Sequence, residues 1–354
     1  MASPARVIAF INPAVSTENV GDLFILDAIK RIVAHDPARS FDVDPRKPVA
    51  AETIDRINRE ADAALICGTN LWYKCMPKPG RWMITLDQLR AIQVPVIPLG
   101  VGTTRHDDDD NDFEPETLAQ IRRIHESCAL GSARDVRTAE VLERAGVGNI
   151  SMTGCPTLFG ALAPAWALRA KPQARKVVVT VRKGAGKNVR KLLKELTSRG
   201  LEPVIAAQQD PDNFLAKPIP LLRKAWPTLY EYDIRPYMQL VQEAVGAIGW
   251  RLHGNMIHLA RGNPAILFSN CSRGESFCET FGLPVVSSPD HIELPDERIG
   301  EMVDRLLDPA TFENLPRTYA QHRATMARFL ETNGLGHNLG AVAPVHAVPS
   351  AANV

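Results

Sequence analysis

Along almost the whole chain, short β-branched or apolar runs alternate with longer amphipathic stretches. Strands apolar on both faces need helices above and below them, so this alternation calls for βαβ units and mostly parallel sheets. The pattern runs twice. In the first half the expected strands are Arg6–Ile11, Ala63–Ile66, Val94–Leu99, Cys128–Gly131 and Ile150–Thr153, with helices beginning near Asp22, Ala51, Arg81, Pro115 and Val136. In the second half they are Lys176–Val181, Pro203–Ala207, Ala244–Gly249, Ala265–Phe268 and Val285–Ser287, with helices beginning near Lys187, Arg235, Gly254 and Glu297. Between them the segment after Pro156 loses strand periodicity and carries Pro164 and Pro172, as a linker would. The expected organisation is two doubly wound domains over residues 1–165 and 172–335. A long terminal helix is expected between Asp308 and Glu331, followed by a frayed tail over 336–354.

Length agrees, because 354 residues exceed the roughly 250–300 at which one core stops growing. The charges nearly cancel, 41 basic against 40 acidic, which removes the global field expected of a nucleic-acid binder and leaves any anion site to local clustering. The N-terminal apolar run is too short for a signal peptide, so cytoplasm is the expected location. The six cysteines form no C-x-x-C pair and no zinc-ligand spacing, and read as reduced, mostly buried thiols. The run of carboxylates from Asp107 to Glu116 lacks the turn that makes a hard-cation site, and reads as a solvated loop entering a helix. Neither a metal nor a cofactor is expected.

Four segments can carry chemistry. In Gly246 to Asn270 an apolar strand gives way to a polar triplet and then a helix, the place where open α/β sheets bind ligands. Arg251 offers a fixed fork for carboxylate or phosphate, and His253 can exchange a proton near neutral pH. Gly254 allows close backbone approach. The plainer alternative makes Arg251 a surface ion pair and His253 a cap on a helix starting at Gly254. In Val177 to Leu196, Lys183, Lys187 and Arg190 sit at a helix N-terminus against the macrodipole, a placement that an anion would offset. Arg182, at the strand's end, is the better ligand contact, and a solvated basic face is the alternative for the lysines. The spacing is not that of a Walker A loop. In the first inter-element segment Asn19, Gly21 and Asp22 stand between strand and helix, where Asp22 can cap. Arg134 and Asp135 occupy the same position after a later strand. Cys155 reads as a packing thiol and His258, five residues past His253, as structural.

Taken in order, Asn19-Val20-Gly21-Asp22, Ser132-Ala133-Arg134-Asp135, Thr153-Gly154-Cys155-Pro156 and Arg251-Leu252-His253-Gly254 resemble the polysaccharide pyruvyltransferase family. The resemblance extends through Ser272-Arg273-Gly274-Glu275 and Phe281-Gly282-Leu283-Pro284, and spans about positions 6 to 290. It implies two Rossmann-like domains facing a cleft, as in B-type glycosyltransferases. It also implies phosphoenolpyruvate as donor, held mainly by the second domain, and a sugar or glycan-precursor acceptor on the first, with peripheral association with membrane-linked glycan machinery compatible with such a role. The family's donor-contacting triplet falls on Arg251, Leu252 and His253, and a further family arginine on Arg182. Arg273 stands where many relatives have Lys, and Trp250 is bulkier than the usual residue there. The expected site is therefore His253 and Arg251 as catalytic residues. Arg182, Lys183, Lys187, Leu252, Gly254, Arg273, Asn19, Gly21, Asp22 and Arg134 are expected to bind substrate.

Two other functions fit the same architecture. A B-type glycosyltransferase would need a carboxylate for its nucleotide, for which Glu275 or Glu279 could serve. A carbohydrate- or anion-binding relative that had lost its chemistry would retain ligand binding without phosphate release.

Overall fold

A computed structural model describes residues 6–103, 113–209, 226–269, 271–289 and 292–340. In the first half, β1 (Ile8–Ile11), β2 (Phe41–Val43), β3 (Ala63–Cys67) and β5 (Val96–Leu99) form a parallel sheet in the order β2-β1-β3-β5. Two short parallel pairs form separate ladders: β4 (Asn70–Trp72) with β6 (Gly102–Thr103), and β7 (Gly131–Ala133) with β8 (Ile150–Met152). Its helices are α1 (Val20–Ile32), α2 (Ala51–Glu60), α3 (Leu86–Ala91), α4 (Pro115–Glu126) and α5 (Val136–Arg144).

The second half contains β9 (Lys176–Thr180), β10 (Glu202–Ala206), β11 (Thr228–Leu229), β12 (Gly246–Gly249), β13 (Ala265–Ser269) and β14 (Val285–Ser287). These form one parallel sheet ordered β11-β10-β9-β12-β13-β14, the doubly wound order that reverses between β9 and β12. Its helices are α6 (Gly186–Ser198), α7 (Ile234–Glu243), α8 (Leu252–Leu259), α9 (Ser272–Phe281), α10 (Asp296–Leu307) and α11 (Leu315–Thr332). Among the described residues no helix is long and apolar enough to cross a membrane.

Several expectations need correction. No helix starts at Arg81, which lies in a turn closed by hydrogen bonds between Lys78 and Trp82; α3 starts later, behind a Thr85/Gln88 capping box. The strand expected at Cys128–Gly131 lies at Gly131–Ala133, because the preceding residues form a turn whose backbone is bonded by Asn149 and Asn333. Helix α9 was not foreseen, since its N-cap Cys271 makes no capping bond and Gly274 reads as loop. The segment after Pro156 is packed: Pro156–Phe159 is a buried 3-10 turn, and buried Trp166 donates from Nε1 to the Leu259 carbonyl at 2.6 Å. Residues 336–340 are not frayed, for Ala34 N donates to Gly336 O and Asn338 N to Ile32 O, tying this segment to the first domain. Residues 107–112 of the acidic run and 341–354 of the tail lie outside the described residues.

A single large apolar cluster runs through both halves, from Phe24, Ile25 and Ile29 of α1 through Leu158 and Phe159 to Val177–Val179 of β9. Phe24 meets Tyr237 of α7 edge-on at 5.5 Å. Polar bonds cross the same seam: Val20 N donates to Gln208 O at 2.9 Å, Val136 N to Thr280 Oγ1 at 3.2 Å, and Tyr232 Oη to Ala14 O at 3.1 Å. The cleft walls are thereby set by core packing.

The last residue of β12, Gly249, has φ +147°, and a Cβ there would lie 2.2 Å from the Thr180 carbonyl oxygen. Only glycine lets β12 end this close to β9 and turn into Arg251. Gly249→Ala should lower unfolding stability by at least about 2 kcal/mol, read as a fall in the urea midpoint at unchanged m-value.

Candidate active site

The two central strands of the second sheet aim their carboxyl ends at one point. Thr180 ends β9 and leads to Arg182, while Gly249 ends β12 and leads to Arg251. Thr180 Oγ1 accepts from Arg251 N at 3.2 Å, and Trp250 N donates to Thr180 O at 2.7 Å, so one threonine holds the start of both loops. Trp250, bulky as it is, fits because its ring stacks on Phe268 at 4.8 Å and its Nε1 donates to Ser288 Oγ. Helix α8 then starts at Leu252 with Arg251 at its N-cap and no side-chain cap. His253 is therefore not a cap on a helix beginning at Gly254, as the plainer reading had it, but a buried residue of the first turn, 8% exposed.

Three arginines, Arg134, Arg251 and Arg273, act on His253, and Arg182 acts in turn on Arg273. Burial first, and then the positive charges of Arg134, Arg273 and Arg251, pull the imidazole well below its ordinary pKa, so it is neutral at physiological pH. Burial foremost, with the charges of Arg134, Arg251 and Arg182 working in the same direction, also lowers the Arg273 guanidinium. Arg134 is 1% exposed. It donates from Nη2 to Asn70 Oδ1 and from Nε to Asp135 Oδ2, the latter at 3.3 Å. Its Nη1 has no hydrogen-bond partner among the described residues, nor do His253 Nε2 and Arg273 Nε. Gly102 makes room for this guanidinium, since a Cβ there would lie 2.4 Å from Arg134 Nη2. Buried donors without partners are costly, and an anionic oxygen is the kind of group that satisfies them.

The first domain closes the site from the other side. Asn19 caps α1, its Oδ1 accepting from Gly21 N at 3.0 Å, which corrects the assignment of that cap to Asp22. Asp22 is buried and pairs with Arg46 at 2.8 Å while accepting from Thr69 Oγ1 at 3.2 Å. Burial raises its pKa, opposed by Arg46, by hydrogen bonds from Thr17 and Thr69 and by the charge of Arg273. A Cβ on Gly21 would lie 3.4 Å from His253 Nδ1, so this glycine brings α1 against the imidazole.

Leu252 and Gly254 are buried beside His253 in the first turn of α8. Lys183 is exposed in the turn after β9. Lys187 is 76% exposed and pairs with Glu293 at 3.2 Å, so it points to the start of α10 rather than into the arginine group. Glu293 and Asp296, at the start of α10, also take up Lys191 of α6. Cys155 is fully buried, and burial raises its thiol pKa, as suits a packing residue. His258 is buried and held neutral, its pKa lowered to about 3 by burial and by Lys171 and Arg261. Sequence reading did not single out Arg46, Thr69, Asn70, Gly102 or Gln208, which come from four separate segments of the chain and carry no local motif.

Two parallel doubly wound sheets meeting at a charged cleft define the B-type glycosyltransferase-like architecture. The structure of UDP-GlcNAc 2-epimerase from Neisseria meningitidis bound to UDP-GlcNAc is similar in fold, with TM-score 0.55 at 11% identity over 92% of this chain and 98% of that one. The Rickettsia bellii UDP-N-acetylglucosamine 2-epimerase gives 0.53 at 11% identity over 93% and 95%, and that of Methanocaldococcus jannaschii 0.51 at 11% over 92% and 99%. No curated protein matches the sequence significantly. The sequence profile of the polysaccharide pyruvyl transferase family matches residues 19–272, more than two thirds of the chain. The chain belongs to that family, and is a transferase.

The arginine group predicts that millimolar phosphate raises the thermal midpoint by a few degrees relative to chloride at equal ionic strength, and that Arg251→Ala removes the difference. The histidines predict acid sensitivity. His125, lowered to about 4 by burial, and His258, lowered to about 3, are neutral in the fold but protonate near pH 6.5 when unfolded. The stability this neutrality supplies is complete above about pH 6.5 and falls by up to about 1.4 kcal/mol per pH unit for each group as acid is added towards the folded values. Urea midpoints measured from pH 7 to pH 4.5 should drop accordingly, and less steeply in His125→Gln.

Proposed function

We propose that this enzyme transfers the pyruvyl group of phosphoenolpyruvate to a pair of hydroxyls on a sugar or glycan precursor, forming a pyruvate ketal and releasing phosphate. The observation that carries this reading is the convergence of Arg134, Arg251 and Arg273, with Arg182 beside Arg273, on a buried, neutral His253 at an uncapped helix N-terminus. A donor with a carboxylate and a phosphate on one three-carbon enol needs two anion clamps and a proton carrier close together, and this group supplies both. The second domain serves as the donor side and the first, through Asn19, Gly21 and Asp22, as the acceptor side.

In the step we infer, one acceptor hydroxyl oxygen bonds to C2 of the enol. Neutral His253 takes the proton of that hydroxyl and passes it to the methylene carbon, which becomes the methyl group. The second hydroxyl oxygen then bonds to C2 as the C2–O bond to phosphate breaks, phosphate leaving with the electron pair and the second proton. Donor binding favours the transfer, because its negative charge offsets the arginines that hold the imidazole neutral in the free protein.

Phosphoenolpyruvate should raise the thermal midpoint, and Arg251→Ala should abolish the rise. His253→Gln should still bind the donor while phosphate release in the presence of acceptor falls at least about a hundredfold. Near-normal turnover in folded His253→Gln would remove the assigned proton carrier. Because the fold also serves enzymes of UDP-GlcNAc, the titration should include that nucleotide sugar, and a rise with it alone would replace phosphoenolpyruvate as the donor.

A further inference from the structure

Gln208 follows the strand β10 and lies in the seam between the domains, 2% exposed. Its backbone carbonyl accepts from Val20 N at the start of α1. The side chain extends between two glycines that belong to different domains. A Cβ on Gly254 would lie 2.1 Å from Gln208 Nε2, and a Cβ on Gly21 would lie 3.0 Å from its Oε1. That same point on Gly21 is 3.4 Å from His253 Nδ1, so the carboxamide reaches the immediate surroundings of the imidazole. Both glycines are thus cut away where this one amide passes.

The amide is placed at a cost. Nε2 is buried and has no hydrogen-bond partner among the described residues, and an unmet buried donor of this kind destabilises a fold. The orphaned donors Arg134 Nη1 and Arg273 Nε belong to the arginine group that surrounds the neighbouring His253. Gln208 adds a neutral donor to that group, next to the first turn of α8, whose N-terminus has no side-chain cap. A donor with no charge can bond an anion's oxygen without adding to the repulsion among the arginines.

We propose that Gln208 is a ligand-binding residue whose carboxamide donates a hydrogen bond to the anionic donor beside His253. The inference rests on the phosphoenolpyruvate reading above. It separates from a purely structural role because the two make opposite demands on the empty protein. A structural wedge stabilises the fold without ligand. A donor kept for ligand is relieved by an apolar replacement, so the free protein keeps or gains stability while affinity falls.

The experiment is a thermal-shift titration of full-length wild type, Gln208→Leu and Gln208→Met with phosphoenolpyruvate. The expected result is an unliganded midpoint equal to or above wild type in at least one variant, with donor affinity reduced about tenfold or more. Affinity within twofold of wild type in a folded variant would overturn the assignment, as would a lowered unliganded midpoint or failure to fold in both variants. Absence of any shift in wild type would instead overturn the phosphoenolpyruvate reading on which the inference stands.

Discussion

Buried Arg134 and His253 share a seam with the partly buried Arg182, Arg251 and Arg273, and the difficulty of bringing so many like charges together is the constraint to which the surrounding structure answers. Arg134 is fastened to Asp135 and Asn70. Asp135 is itself fixed as the N-cap of α5 by Thr138, through both its N–H and its hydroxyl. Arg46 is neutralised by Asp22 within the first domain. The imidazole gives up its charge altogether. What these arrangements leave unsatisfied among the described residues includes donor atoms on Arg134, Arg273 and Gln208 beside His253 Nε2, and a surplus of donors is a form in which a protein stores affinity for an anion.

The fold makes this concentration of charge possible by topology. In each sheet the strand order reverses at one place, between β1 and β3 in the first and between β9 and β12 in the second. Loops leaving strands on either side of such a reversal diverge and open a crevice. Here Asn19 to Asp22 follow β1 and Thr69 follows β3, while Arg182 follows β9 and Arg251 follows β12. The two crevices face each other, so residues close to a reversal in sequence terms become neighbours across the domains.

That geometry also explains what could be read from the sequence. The segment from Arg251 to Gly254 was legible because its four residues are consecutive and lie just past a strand. Arg134 and Asp135 were legible for the same reason. The ion pair of Lys187 was not legible although it too follows a strand, because its partner Glu293 is over a hundred residues away and only the packing of α6 beside α10 joins them. Gln208 and Gly102 have no local signature. Their importance lies in the space they occupy or vacate, and that is a property of register and loop course. The docked residues 336–340 were hidden for a related reason, since their backbone bonds go to Ile32 and Ala34 at the far end of the chain.

The distribution of the arginines bears on how such an enzyme moves. Arg182, Arg251 and Arg273 come from the second domain, but Arg134 comes from the first, and the amide of Gln208 touches both sides. On the proposed reading the donor is therefore gripped across the seam, and its affinity depends on domain orientation as much as on any one side chain. A loose hinge would spend part of that affinity on ordering the two halves at each turnover. The continuous apolar cluster through α1, Pro156–Phe159 and β9, with the backbone bond from Val20 to Gln208, holds the halves in register before ligand arrives. On the same proposed reading, the cost of the clustered charge is carried by the resting protein, and the binding energy released by the donor remains available for orienting the enol against His253.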